Sequence, residues 1–306
     1  MNRKKSSRFE VWFTFGFLFT LIAAFGTFML GLSMGITRTE AKYLNYKASA
    51  LESETEVSYG QQDLVTFYYV VYQPYQQFKE EYISMTDRLQ SADSKLAAAK
   101  ILKEAQESAQ NQYGLISANP ISGSSPLLKQ AQNDILKSLK LFDEGISRNV
   151  SFMSGETGPK LARILSSDEF AKNAMDYGLK AQSKFYASIL KWSAKADQHI
   201  PDNYTFRSDT LIKQWKTFSL AQKNKAVSDM MQNSRLYVSY LPQDMTAKID
   251  QMIASGKASA LKLNSVSSIV KILTETEAVQ SKEFMKWKAT YYKSEILPEL
   301  PFFAGS

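Results

Sequence analysis

The chain has 306 residues, a mass of 34.6 kDa, 37 basic against 30 acidic side chains, one histidine and no cysteine. Without cysteine there is no thiol catalysis, no thiolate metal site and no disulfide framework, and a single histidine excludes the common zinc sites. Setting aside the four basic residues and Glu10 of the first 37 positions leaves 33 basic and 29 acidic side chains, about +4, an ordinary solvated balance that gives no footing for nucleic-acid binding.

Four basic residues (Arg3, Lys4, Lys5, Arg8) precede Val11–Thr37, a run of 27 positions without a charge. About 20 apolar residues cross a bilayer core, so the run predicts a single transmembrane helix with Trp12 near its entry edge. It is too long for the apolar region of a cleaved signal peptide, and no Ala-x-Ala site follows it. The short basic tail, residues 1–10, predicts a cytoplasmic N-terminus, although Arg38, Lys42 and Lys47 on the far side narrow the asymmetry. The large domain is then extracytoplasmic. Ala23, Thr27, Gly31 and Gly35 lie four apart and include a GxxxG pair. They mark a candidate membrane helix–helix contact, with a second copy or with a partner.

Residues 38–60 read as a helical stalk ended by Gly60, and 61–306 as one domain. The positions Leu64, Tyr68, Val71, Tyr75, Phe78, Tyr82, Met85, Leu89, Ala92, Leu96 and Ala99 alternate steps of four and three. They form a coiled-coil-like seam, with Pro74 kinking or dividing it and an end near Gly114–Pro120. A loop over Asn119–Ser125 leads to a helix opened by Ser125-Pro126, with a buried stripe at Leu128, Ala131, Ile135, Leu139, Phe142 and Ile146. A loop over Ser154–Lys160 and a short helix over Leu161–Leu165 follow. Ser166 and Glu169 then read as the capping box of a helix running to Ala196. Apolar residues spread around much of that helix, so it is expected at the centre of the bundle.

Pro201–Asn203 turns the chain. Ser208 is expected to cap a helix or helix pair reaching Met231, and the β-like run Leu236–Leu241 is short. Pro242 and Gly256 bracket a helix over Asp244–Ala254. A last helix is expected over Ser265–Glu295, stopped by Pro298 and Pro301 ahead of the tail Phe302-Phe303. The fold class is all-α: one N-terminal transmembrane helix followed by an elongated multi-helix bundle.

No stretch carries a recognisable reaction. His199 stands alone in a turn, with no Gly-x-Ser-x-Gly elbow to go with it. Gly155–Lys160 fails the phosphate-loop spacing, and its Pro159 lacks a backbone N–H. Ser-x-x-Lys occurs at Ser188, Ser259 and Ser268 without Lys-Thr-Gly. The carboxylate pairs Glu80/Glu81 and Glu275/Glu277 read as surface charge. The remaining signal is aromatic. Tyr68, Tyr72, Tyr75 and Tyr82 form one stripe, and Phe284, Trp287 and Tyr291, flanked by lysines, form another. Both are candidate partner or ligand surfaces, and the alternative for each is bundle core.

The functional expectation is a non-enzymatic, single-pass, membrane-anchored interaction or scaffold module of the bacterial cell envelope. It needs no cofactor or metal, and its partners are the bilayer and a protein. The alternatives are a sensory or ligand-binding ectodomain, which a pocket lined by the tyrosines would favour, and an envelope enzyme without a readable motif.

Overall fold

The computed structural model describes residues 57, 59–152 and 156–304. The expected membrane helix, with Ala23, Thr27, Gly31 and Gly35, lies outside the described residues, as does most of the stalk. Among the described residues no helix is long and apolar enough to cross a membrane.

Residues 57–306 cluster as one unit. Among the described residues it is helical throughout, and the only strand-like pairing is an isolated bridge between Leu211 and Ser265. Gly60 is the N-cap of α1 (Gln61–Phe67), with Asp63 accepting its N–H. A π-turn, Tyr68–Tyr72, leads into α2 (Gln73–Gln90). Pro74 explains the π-turn. Proline brings no N–H, so the ladder cannot continue in α register, and the helix widens until Gln73 N–H bonds Tyr68 O. The seam is buried where expected at Leu64, Val71, Tyr75, Phe78, Tyr82, Met85 and Leu89.

Beyond Leu89 the expected seam fails. Residues 91–94 turn, and Ser94 Oγ accepts the Ala97 N–H to open a new helix, α3 (Lys95–Ser117). The turn resets the phase: Leu96 is 82 % exposed and Ala99 is exposed, while Ala98, Ile101, Leu102, Ala105 and Ala109 face inward.

Next is α4 (Pro126–Phe152), and all six residues of its expected stripe are buried. α5 begins at Gly158, earlier than expected, and runs to Ser167. α6 (Glu169–Ala196) is capped by Asp168, whose carboxylate accepts the Ala171 N–H. The expected Ser166 cap is an exposed residue inside α5. α6 packs against both α4 and α8 (Leu220–Asn233). Phe185, Tyr186 and Ile189 join one hydrophobic cluster and Leu179 joins a second, so the helix contributes to both.

The second cluster is built on Trp215 of α7 (Ile212–Trp215), on α8, on α9 (Pro242–Ala254), on Ala258 of α10 (Lys257–Ala260) and on α11 (Val266–Glu275). Ser219 caps α8, with Gln222 in a capping box; Ser208 instead lends its carbonyl to the Ser267 hydroxyl. The expected final helix is divided. Ser265 caps α11, Glu277 turns left-handed (φ 49°), and the Ala278 N–H closes on Leu273 O, a Schellman ending. The chain resumes as α12 (Glu283–Tyr291), and the tail folds back as α13 (Pro301–Ala304) with Phe303 buried. Asp250 of α9 holds these parts together. It accepts from Trp215 Nε1 at 2.7 Å, Lys223 Nζ at 2.9 Å and Tyr292 Oη at 2.7 Å.

Candidate functional site

The π-turn does more than accommodate Pro74. It turns Tyr68 and Tyr72 toward the returning tail, where Phe302 lies 5.5 Å from the Tyr68 ring and 6.5 Å from the Tyr72 ring. These rings bound a cleft of about 430 Å³. Gln73, Gln76, Gln77 and Glu80 of α2 form one wall. Ser239, Leu241, Gln243 and Asp244 around the start of α9, Ser281, Lys282 and Met285 around the start of α12, and Pro301 complete the lining. The volume is that of a small-ligand site, and the lining is the usual mixture of apolar surface and a few polar groups.

The floor is a buried polar network. Tyr72 Oη donates to Gln182 Oε1 at 3.5 Å, and Tyr186 Oη donates to Gln243 Oε1. Burial raises both tyrosines above their ordinary value. Asp244 sits at the third position of α9. One carboxylate oxygen accepts the Leu241 N–H at 3.1 Å and the other the Phe284 N–H at 3.0 Å. Burial raises its carboxyl above the ordinary range despite those bonds, because little solvent remains to stabilise the charge. Its role is to join α9 to α12.

The wall is different in kind. Among the described residues the amides of Gln73, Gln76 and Gln77 have no hydrogen-bond partner, and Glu80 and Lys282 have no ion-pair partner. Lys282 holds a left-handed backbone (φ 66°) at the N-cap of α12, a costly conformation for a non-glycine residue. A larger hollow of about 630 Å³, bounded by Phe206, Met230, Leu236, Val270, Lys271 and Glu275, has Phe206 as its one aromatic lining residue.

Of the seven aromatic surface candidates, Tyr68 and Tyr72 border the cleft, and only Tyr68 is partly exposed there. Tyr72, Tyr75, Tyr82 and Phe284 are core residues, and this corrects the expectation of an accessible surface there. The heptad spacing that marks them is itself the signature of burial. Tyr75 Oη meets Ser138 Oγ at 3.0 Å and Tyr237 Oη at 3.1 Å, and Tyr82 packs on Phe142. Trp287 and Tyr291 are half-buried, stacked at 5.4 Å, and stand outside the cleft. Burial opposes ionisation of Glu283 beside them. The Trp287 indole N–H, Lys286 and Lys248 outweigh it and hold the carboxyl below its ordinary value.

The two stripes, separate in sequence, are joined through the tail. Phe302 touches Tyr68 and Phe303, and Phe303 touches Phe284. The glutamines were missed by the aromatic reading, although the pattern Gln73-x-x-Gln76-Gln77 at helical spacing beside Tyr68 and Tyr72 was available to find them. The residues around α9 and α12 carry no comparable signal.

His199 is exposed and pairs only with Asp197, its near neighbour in sequence. Among the described residues no three histidine or carboxylate side chains gather as metal ligands. Comparison of the chain with protein-family models, curated proteins and solved structures finds no match. The functional reading therefore rests on the site itself.

Proposed function

We propose that this chain is a non-catalytic, membrane-anchored binding module of the bacterial cell envelope. The apolar segment Val11–Thr37 holds it in the membrane with the bundle outside, and the cleft beside Tyr68 is where it engages its partner. The small-residue face Ala23, Thr27, Gly31 and Gly35 would pair the segment with another membrane helix. The observation that carries the reading is the row of unpartnered amides, Gln73, Gln76 and Gln77, beside the half-buried rings of Tyr68 and Phe302. Free donors and acceptors next to apolar surface are what a binding site offers. Asp244 has a structural role there, each of its oxygens accepting a backbone N–H.

The test places a photoreactive benzophenone amino acid at Gln77 of the full-length chain in cells, with the same residue at exposed Lys100 on α3 as control. The expected result is a discrete adduct from Gln77 alone, in the membrane fraction. No adduct at Gln77, equal adducts at both positions, or a chain absent from the membrane fraction would overturn the proposal.

A further inference from the structure

The isolated bridge joins two basic segments from distant parts of the chain. Ile212 N–H donates to Asn264 O at 3.1 Å and Val266 N–H to Thr210 O at 3.0 Å, which sets the turn of α7 beside the end of α10. Leu211, just before α7, is 50 % exposed, and Leu261, just after α10, is 54 % exposed. Lys213, Lys216, Lys257 and Lys262 flank them, all exposed. No carboxylate occurs in residues 210–228 or 251–274. The other lysines of these stretches are engaged, Lys223 with Asp250, Lys225 with Asp229 and Lys271 with Glu275. Asp209, next along the chain, is held by Arg207 at 3.1 and 3.2 Å. Among the described residues the four surface lysines have no ion-pair partner, so their charge is uncompensated.

The patch lies at the end of the bundle where the chain enters it. Trp215 of α7 is fixed to Asp250 of α9 at 2.7 Å. Burial raises the Glu295 carboxyl, and the nearby charges of Asp250 and of Asp197, which follows α6, add to the effect. The ends of α9 and α6 therefore meet. Lys191, in the last turns of α6, stands 5.9 Å over the ring of Tyr59, two residues after the unit begins.

A polyanion such as a wall polymer offers such a patch charge alone. Leucines exposed among lysines fit an anionic bilayer, whose headgroups take the lysines and whose acyl boundary takes the leucines. This inference rests on Val11–Thr37 holding the chain in a membrane, and it is independent of the cleft.

We propose that the end of the bundle formed by residues 211–216 and 257–262 docks on the anionic lipid surface of the membrane that carries the chain, with Leu211 and Leu261 reaching below the headgroups and Lys213, Lys216, Lys257 and Lys262 against the lipid phosphates.

The chain has no cysteine, so Ala260→Cys in the full-length protein gives a single thiol beside Leu261, and Lys100→Cys on α3 gives a control. Each is labelled with an environment-sensitive nitrobenzoxadiazole dye. The protein is reconstituted into vesicles of phosphatidylcholine alone, or of phosphatidylcholine and phosphatidylglycerol mixed two to one. The expected result is a blue-shifted emission at position 260, quenched by a nitroxide-bearing lipid, in the anionic vesicles only, with position 100 in water in both. Each lysine near an anionic surface is worth about fivefold in binding, so Lys213→Gln/Lys257→Gln should lower the docked-to-free ratio about 25-fold. Leu261→Ser should reduce the quenching, and melting temperatures check that both variants fold. A label at 260 that stays in water, an equal shift in neutral vesicles, an equal shift at position 100, or a shift unchanged in the folded lysine variant would each overturn the docking. Flotation of the vesicles separates the two readings. A chain that floats while its label stays in water loses the docking alone, and a chain that floats with neither vesicle loses the membrane anchor and the docking together.

Discussion

Lys79→Met should make the protein more stable, and the size of the gain should depend on pH. Lys79 lies on the buried side of α2, 2 % exposed, with its ammonium 4.9 Å from the centre of the Tyr237 ring and no carboxylate paired with it. Burial pushes its pKa down from 10.5 to about 8. At about 1.4 kcal/mol per tenfold, holding the charged form in the folded protein costs roughly 3 kcal/mol at neutral pH. Methionine has a similar unbranched shape and needs no solvation, but it forfeits the cation–π attraction, worth about 1 kcal/mol. The net gain is about 2 kcal/mol. At roughly 2–4 °C per kcal/mol for a domain of this size, that is a rise of about 4–8 °C in melting temperature at pH 7.

Because the folded pKa is depressed, the unfolded chain binds a proton between about 8 and 10.5 that the folded chain does not, so wild-type stability gains from Lys79 as pH rises through that window. The advantage of Lys79→Met should be largest below pH 8 and shrink toward pH 10.5. Thermal unfolding of both full-length proteins in mild detergent across that range reads the difference, in which all other titrations cancel. A variant that melts lower at pH 7, or a difference that is flat with pH, would refute the reasoning.

The break after α2 is checked by paired truncations. Leu89→Ala should cost about 2–5 kcal/mol, whereas Leu96→Ala, which the heptad pattern alone would make equivalent, should stay within about 0.5 kcal/mol by denaturant unfolding. Gly178→Ala should be destabilising by about 1–3 kcal/mol despite alanine's better helix propensity, because the added methyl would overlap the Tyr75 hydroxyl; a neutral or stabilising result in the same assay would mean that Tyr75 is not packed there. Burial raises Tyr75 to about 12 and lifts Tyr72, Tyr82, Tyr186 and Tyr292 as well. Their contribution is full below pH 10, where the unfolded tyrosines are still protonated; that of Tyr75 is lost as pH rises through about 12, and those of the others at higher pH still. Tyrosinate absorbance from these residues should therefore appear together with unfolding; their ionisation in a still-folded protein would contradict their burial.

What was legible in the sequence followed from local rules. The stripe of α4 and the seam from Leu64 to Leu89 were readable because a helix repeats its faces every three or four residues, and Ser125-Pro126, Pro242 and Gly256 mark boundaries through φ restrictions that act within a few residues. The break inside the expected final helix was missed for a physical reason. α11 is followed by Glu277 in left-handed conformation, with the Ala278 N–H closing on Leu273 O, as Arg235 and Lys262 end α8 and α10 with N–H bonds from Leu236 to Met231 and from Leu263 to Ala258. Glycine would have announced these endings; a charged residue held there by packing on either side does not.

The candidate site shows the same division. The residue types were present in the sequence as tyrosines and glutamines at helical spacing. Which tyrosines became core and which became wall was decided by the return of Phe302 and Phe303 from more than two hundred positions away, and by the extra residue of the π-turn. Helix class, amphipathic faces and the apolar N-terminal run were determined by the sequence alone, because they depend on neighbours along the chain. The cleft was decided only by tertiary structure, because its walls are set by contacts whose closure no local preference encodes.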